Sequence, residues 1–336
     1  MASLLVTGGA GYVGSHALRA LRRAGHETVV LDDLRSGHAF LAGDAPLIRC
    51  DIADAQGLSQ AFRSHGPFDG VLHFAASLSV PESVEKPLLY YRNNVAGSAV
   101  LLDTALQHGV GSFLLSSSCA VYGIPERVPI HEGMVLAPTH PYGASKQMVE
   151  RILADAESAH GLRWAALRYF NAAGADPEGG IGECHQPEIH LIPSALEAAA
   201  GLREALMLFG TDYPTPDGTC IRDYIHVEDL ARAHLSALEQ LEAGETGIAC
   251  NLGTGTGFSV KEVIETVREV TGHSIPTIVG PRRAGDPPEL TSGGTRAKEL
   301  LGWSPLRPGL RDIVTDAWRF LQAHPEGYTG GDRRTR

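Results

Sequence analysis

The sequence predicts an α/β fold, a doubly wound parallel sheet with a smaller C-terminal α/β unit, from three observations. Apolar strand runs alternate with helical repeats through the first half, the first strand runs into a glycine-rich turn, and a later strand ends in a row of hydroxyls. A chain of 336 residues is long enough to bury one large core and a second, smaller one.

Ser3 to Thr7 is a short buried-strand run, and Tyr12 to Ala24 then repeats apolar residues at helical spacing until Gly25 stops it. Strand runs follow at 27–31, 46–50, 69–74, 111–116 and 163–169, separated by helical patterns near 54–64, 82–108 and 143–160. Strands that alternate with helices pair in parallel and are covered on both faces. Beyond Phe170 the rhythm loosens into a Pro- and Gly-containing stretch, with a helical pattern at 192–201 and an apolar run at 206–209. A helix pattern at 228–241 and a strand run at 248–252 restore it, before helical segments near 260–271 and 309–323. The expected division is a dinucleotide-binding domain over 1–170, rejoined around 225–255, and a substrate domain over 171–330. Residues 331–336 read as a frayed tail.

Acidic residues outnumber basic ones, 39 to 28, so the long-range field repels phosphate backbones and speaks against nucleic-acid binding, though a local basic pocket is allowed. Five cysteines, Cys50, Cys119, Cys184, Cys220 and Cys250, are odd in number and far apart, without a CxxC pair. That argues against a disulfide framework and a structural zinc site and for a reducing, cytoplasmic compartment. No apolar run is long enough for a membrane span, and no basic region precedes the first strand, so neither membrane insertion nor export is expected. The scattered Cys184, His185 and His190 have no recurrent zinc spacing, and no metal is expected.

Gly8, Gly11 and Gly14 stand where the first strand hands over to a helix, as pyrophosphate binding requires. Gly8 permits the tight turn, Gly11 lets backbone approach phosphate, Gly14 lets helix pack on strand, and the helix start offers free N–H groups. A tight turn without a ligand would use the same glycines. Asp32 follows Gly14 at nearly the roughly 20-residue interval of an acid that binds adenosine ribose hydroxyls, which favours NAD over NADP, although Arg35 stands nearby. Asp51, ending the next strand, suits either an adenine edge or a turn cap.

Tyr142 and Lys146 lie four residues apart on a helical stretch and share a face. An ammonium there and a positive nicotinamide would stabilise a phenolate, turning a poor base into a usable one, although a surface pair has the same spacing. The strand Leu114 to Ser118 ends in hydroxyls where open α/β sheets place ligands, and Ser118 is the candidate partner of Tyr142. Three serines could equally satisfy local backbone groups.

Further motifs join these: Leu72-His73-Phe74-Ala75-Ala76, Glu82-Ser83-Val84, Tyr90 to Val95, Leu167 to Asn171, Phe209 to Pro214, Asp217-Gly218-Thr219, Arg222 to Val227 and Arg282 to Asp286. With them the chain resembles the extended short-chain dehydrogenase/reductase family over nearly its whole length, and within it the enzymes that epimerise UDP-sugars at carbon 4. The resemblance implies a Rossmann domain holding NAD tightly, oxidation of a UDP-hexose at carbon 4 to a transient ketone, and its reduction on the other face. It implies Tyr142 as the acid–base group, Ser118 hydrogen-bonded to the same oxygen, and Lys146 on the nicotinamide ribose. It further implies a cofactor cleft of Tyr12, Val13, Asp33, Ile52, Phe74, Ala75, Ala76, Asn94, Ser116, Tyr169 and Phe170. The UDP-sugar would meet Asn171, His190, Leu191, Phe209, Arg222, Arg283 and Asp286, and the protein would be a homodimer. Paired arginines can clamp a diphosphate, and Asp286 can accept from ribose hydroxyls.

The chain departs from some members of that group in three places. Leu78 stands where some carry lysine, His190 where some carry asparagine, and Leu290 where a tyrosine narrows the sugar pocket, which could admit N-acetylated sugars. UDP-pentose and UDP-uronic acid epimerases share the core chemistry, whereas a 4,6-dehydratase needs an acid and base that Cys119 and Ala120 do not supply. A silent NAD-binding sensor would have no use for the tuned phenol. Asp223 and Asp229 could cap turns, and His226 could be a satisfied core histidine.

Overall fold

The computed structural model describes residues 1–283 and 285–328; the tail expected at 331–336 lies outside the described residues. Thirteen strands are found among the described residues: β1 Ser3–Thr7, β2 Glu27–Asp32, β3 Leu47–Arg49, β4 Gly70–His73, β5 Ser112–Ser118, β6 Arg163–Tyr169 and β7 Asn171–Ala173. They continue with β8 Leu206–Phe209, β9 Ile221–His226, β10 Ile248–Leu252, β11 Gly257–Ser259, β12 Thr277–Gly280 and β13 Glu289–Leu290. Seven of them form one sheet in the order β10-β6-β5-β4-β1-β2-β3, every pair parallel.

Side chains alternate along each strand, so a parallel sheet apolar on both sides needs helices on both sides. Leu4 and Val6 of β1 join Leu18 and Leu21 of the helix Tyr12–Arg23 and Leu230 and Leu238 of the helix Val227–Glu242 in one core. Leu5, between them, faces the other way, into a core with Leu58, Phe62, Leu101, Val149 and Leu153. A third core, built from Ile192, Leu196, Val263, Val267, Ile313 and Val314, joins the helices Leu191–Ala199, Val260–Thr271 and Leu310–Ala323. Beside it, β9 pairs with β7, β11 and β13, and β8 pairs with β12.

The long helical pattern at 82–108 is four pieces. The helix Val80–Glu85 ends at Lys86, Pro87 opens the helix Pro87–Tyr90, and a π-helical stretch Tyr91–Gly97 leads into the helix Ser98–Gln107. Proline suits a first helical position but cannot donate to the preceding turn, so the chain restarts there. The loosened stretch after Phe170 also contains a short strand, β7, which borrows its partner from β9 fifty residues on.

A buried polar network ties the helix Pro141–His160 to β5, β6 and β10. Arg168 of β6 donates to both oxygens of Glu150, with Nη2 to Oε2 at 2.6 Å, and Ser117 donates to Oε1 at 2.5 Å. The other arm of Arg168 donates to the Tyr122 hydroxyl, which donates to Asn251 of β10. Glu150 and Arg168 are 5% and 6% exposed, so neither charge has water as a substitute partner. Replacing Glu150 by leucine strands the guanidinium, and urea denaturation should register a loss of about 3–5 kcal/mol; a loss below about 1 kcal/mol would show that the pair does not hold this network.

Candidate active site

Parallel strands direct their carboxyl ends to one edge, and the segments leaving β1 to β6 meet there. Gly8 has φ +73°, and a side chain on it would strike the backbone of Phe74 and Ala75; one on Gly14 would strike the Gly8 carbonyl. Both positions therefore demand glycine. The helix after the turn starts at Gly11 without a side-chain cap, leaving its first amides and positive dipole end to an anion. Asp32, ending β2, accepts from Ala10 N at 3.1 Å and Leu34 N at 2.9 Å, which fixes it beside the turn, while burial pushes its carboxyl up. These features fit a dinucleotide.

Arg35, which left room for a 2′-phosphate, is engaged by acids and amide: Nε donates to Asp33 at 2.5 Å and Nη2 to Asn93 at 2.8 Å, with Asp51 at 3.9 Å. Asp51 itself accepts from Ala53 N, the turn contact its sequence context allowed. Next to it Ile52 is buried against Gly97 of the π-helical stretch. Asn94 on that stretch accepts from Ser77 N, donates to Ser77 O and Ser145 Oγ, and so ties the Phe74–Ser77 loop, with Ala75 and Ala76, to the helix Pro141–His160. Phe74 and Val13 pack on the first core, and Tyr12 donates to Gly174 O at 2.7 Å.

The helix Pro141–His160 carries Tyr142, Lys146 and Glu150 at successive four-residue steps, one face. That face meets the end of β5 residue by residue. Ser118 lies close enough to the Tyr142 phenol to favour its phenolate, Lys146 Nζ donates to Ser116 O at 2.8 Å, and Glu150 accepts from Ser117. Burial pushes the Tyr142 phenol well up and outweighs the Ser118 bond; burial pulls Lys146 down to about 8 against Glu150. Tyr169 is bonded to Ser116 Oγ at 2.7 Å, and Phe170 is buried beside Cys119. His140 caps this helix, its Nδ1 accepting from Gly143 N at 3.2 Å, and its ring stacks on Tyr142 at 6.2 Å.

Of the residues expected to meet a UDP-sugar, the structure brings together Arg222 and Asp286, 3.5 Å apart, and lays the Arg283 guanidinium over Phe209 at 4.1 Å. Leu290 registers against Arg222 across β13 and β9 and packs near Cys119 and Phe170; Asn171 registers against Tyr224, and Leu191 packs into the third core. Leu78 is exposed. His190 has partners elsewhere, with Nδ1 2.7 Å from Glu183 and 3.0 Å from Glu188. His185 joins them, and the carboxylates hold the two imidazoles high, at about 9 for His185 and about 10 for His190.

Asp223 and His226 are structural. Asp223 accepts from Thr254 N, Gly255 N and Ser292 N, and His226 lies between Asp316 and Glu228 N. Asp229 accepts from Leu306 N and Arg307 N. Sequence reasoning missed Glu150, Arg168 and His140 as supports. An acid four residues beyond Lys146 was the available signal for the first. Glu183 and Glu188, which the sequence reading did not weigh, join His185 and His190 in the loop at 183–190, where E-x-H-x-x-E-x-H was the signal.

Residues 4–253 match the model of the NAD dependent epimerase/dehydratase family. A UDP-glucose 4-epimerase of Halalkalibacterium halodurans is 49% identical over 327 residues, 97% of this chain and 98% of that one. The crystal structure of UDP-glucose 4-epimerase from Brucella ovis in complex with NAD superposes with TM-score 0.92 at 47% identity, covering 95% of this chain and 98% of that one. The Bifidobacterium longum UDP-glucose 4-epimerase in complex with NAD+ and UDP does so with TM-score 0.92 at 34% identity, covering 97% and 100%.

Burial and Lys146 pull His73, held between the Thr7 and Ser98 hydroxyls, from 6.5 to about 3, and burial takes His234 to about 4. Both are depressed on folding, so their contribution is whole above about pH 6.5 and shrinks as pH falls toward 3, by up to about 1.4 kcal/mol per pH unit for each proton. Unfolding free energies between pH 7.5 and 5 should show this slope, and His73→Gln should flatten it; an unchanged slope in that variant would refute the assignment to His73.

Proposed function

The chain belongs to the NAD dependent epimerase/dehydratase family, and from that premise we propose that it inverts carbon 4 of a UDP-hexose, interconverting UDP-galactose and UDP-glucose. The observation that carries this reading is the single helix face that presses Tyr142, Lys146 and Glu150 against the three terminal serines of β5. When bound, NAD supplies reversible two-electron oxidation of carbon 4 to a ketone, so that no net redox change results.

The glycine turn would close on the pyrophosphate with the helix start behind it, and Asp32 would take the adenosine ribose hydroxyls. Asp33, Asp51, Ile52, Phe74 to Ala76 and Asn94 would line the adenosine and nicotinamide sides of the cleft, with Ser116, Tyr169 and Phe170 at its floor. Lys146 would hold the nicotinamide ribose, and it is the positive charge this helix face offers to a phenolate. Tyr142 takes the proton of the 4-hydroxyl, and Ser118 holds the same oxygen in line.

Arg222 and Arg283 would grip the diphosphate from two sides. Phe209 backs the Arg283 fork, and Asp286 both orients Arg222 and offers an acceptor to the uridine ribose. Asn171 and Leu191 would complete the uridine end, whereas the His190 ring is turned to Glu183 and Glu188. Elimination of water, the dehydratase outcome, is disfavoured because Cys119, beside Ser118, has its thiol pushed up to about 12 by burial and gives no working acid or base.

We also read the chain as a cytoplasmic homodimer with a dinucleotide-binding unit over 1–170, rejoined around 225–255, and a discontinuous substrate unit over 171–330. Support for the dimer is the apolar surface of Val84, Leu88 and Met148, 63%, 73% and 44% exposed, on helices that pack together. All five cysteines are free, and no helix of the described residues is long and apolar enough to cross a membrane.

With UDP-galactose as substrate, Tyr142→Phe should keep NAD and UDP binding and lose about 10²–10⁴-fold in kcat; near-normal turnover would remove Tyr142 from its role. Leu88→Glu should shift the mass measured by light scattering from dimer to monomer, and an unmoved dimer would place the interface elsewhere.

A further inference from the structure

The loop between β7 and the helix Leu191–Ala199 gathers Glu183, His185, Glu188 and His190 so that one ligand atom of each lies within 4.8 Å of the others. We propose that these four side chains form a divalent-metal site, suited to Zn2+, that fastens this loop beside the glycine turn.

Four ligands at about 2.0–2.1 Å from a tetrahedral zinc stand about 3.3 Å from one another. The imidazole nitrogens stand 2.7, 3.0, 3.1 and 3.8 Å from carboxylate oxygens, and one ligand atom of each residue lies within 4.8 Å of the others, so shifts of at most about 1.5 Å bring them to that geometry. Two imidazoles and two carboxylates are a borderline donor set that matches zinc better than calcium or magnesium.

The charge balance is compatible with the same exchange. Glu183 and Glu188 side chains are 6% and 4% exposed, and among the described residues neither carboxylate is paired with lysine or arginine. Arg203, the nearby cation, donates to the Glu188 backbone carbonyl instead. The two buried carboxylates face the two imidazoles, and a single divalent ion that displaces both imidazole protons balances them from the middle of the cluster.

The surroundings meet the remaining requirements of a metal site. Glu188 Oε1 is aimed by the backbone amides of Ile189 and His190, both at 2.7 Å. A cavity of about 260 Å³, lined by Glu183, His185 and Glu188 with Ile192, Leu196 and Phe320, gives an ion a way in. His185 meets the Tyr12 ring edge-on at 6.5 Å, and Tyr12 donates to Gly174 O, so the site adjoins the first residue of the helix that follows the glycine turn.

The test uses the untagged full chain, stripped with chelator and dialysed, then titrated with Zn2+ alone, with bound metal counted by elemental analysis and the thermal midpoint recorded. The wild type should hold about one zinc per chain and melt higher with it. His185→Ala should bind at least about tenfold more weakly and lose the thermal gain. Glu183→Gln, nearly isosteric, should do the same and serves where the first variant does not fold. Cys184→Ser, whose thiol lines the cavity outside the four, should bind as the wild type does. No stoichiometric zinc in the wild type, full binding by Glu183→Gln, or loss of binding in Cys184→Ser would each overturn the site.

Discussion

Glu150 and Arg168 meet in the floor of the cleft, where water is absent and each charge has only the other and its hydroxyl neighbours. Everything above them depends on that meeting. A buried ion pair adds little net stability over an apolar substitute, because desolvation opposes the attraction. What it does here is fix register. With Glu150 bound to β6 and to Ser117 of β5, the helix cannot slide, and Lys146 and Tyr142 come to rest one and two turns earlier, opposite Ser116 and Ser118.

The opposite side of the cleft is built by a steric rule. Gly8 and Gly14 let the first strand, its following helix and the Phe74–Ala75 backbone come closer than any side chain would allow. That approach creates a concave surface of amides in a chain whose net charge of −11 would otherwise repel a dinucleotide. Attraction for anionic ligands is concentrated at the helix start and at Arg222 and Arg283. The acid around them, Asp286, is placed to aim one of those arginines and leaves the other on an aromatic face.

The large sheet was legible because burial on both faces writes itself into short apolar runs, and because the glycines and the Tyr142–Lys146 spacing are local signals. The lesser sheets were not. β7, β11 and β13 are two or three residues long and exist through pairing with β9, which no local period announces. The broken helix at 80–107 kept an apolar repeat through a restart at Pro87 and a π-helical stretch, so period alone joined what backbone geometry separates. Among the site residues, those on strand ends could be placed from sequence. The partners of His190 could not, because Glu183 and Glu188 converge on it only through the path of an irregular loop. His140 lies just before the helical pattern at 143–160, and its ring caps the helix Pro141–His160 and stacks on Tyr142.

If one phenol and one retained dinucleotide carry carbon 4 through a ketone and back, the hydrogen removed from that carbon returns to it. The most direct measurement purifies the chain without added cofactor, supplies UDP-galactose deuterated at carbon 4, and locates the label in the product by NMR. UDP-glucose should form with deuterium still at carbon 4, made by enzyme that brings its own NAD. Absence of product, or product whose carbon 4 carries hydrogen from solvent, would contradict that route.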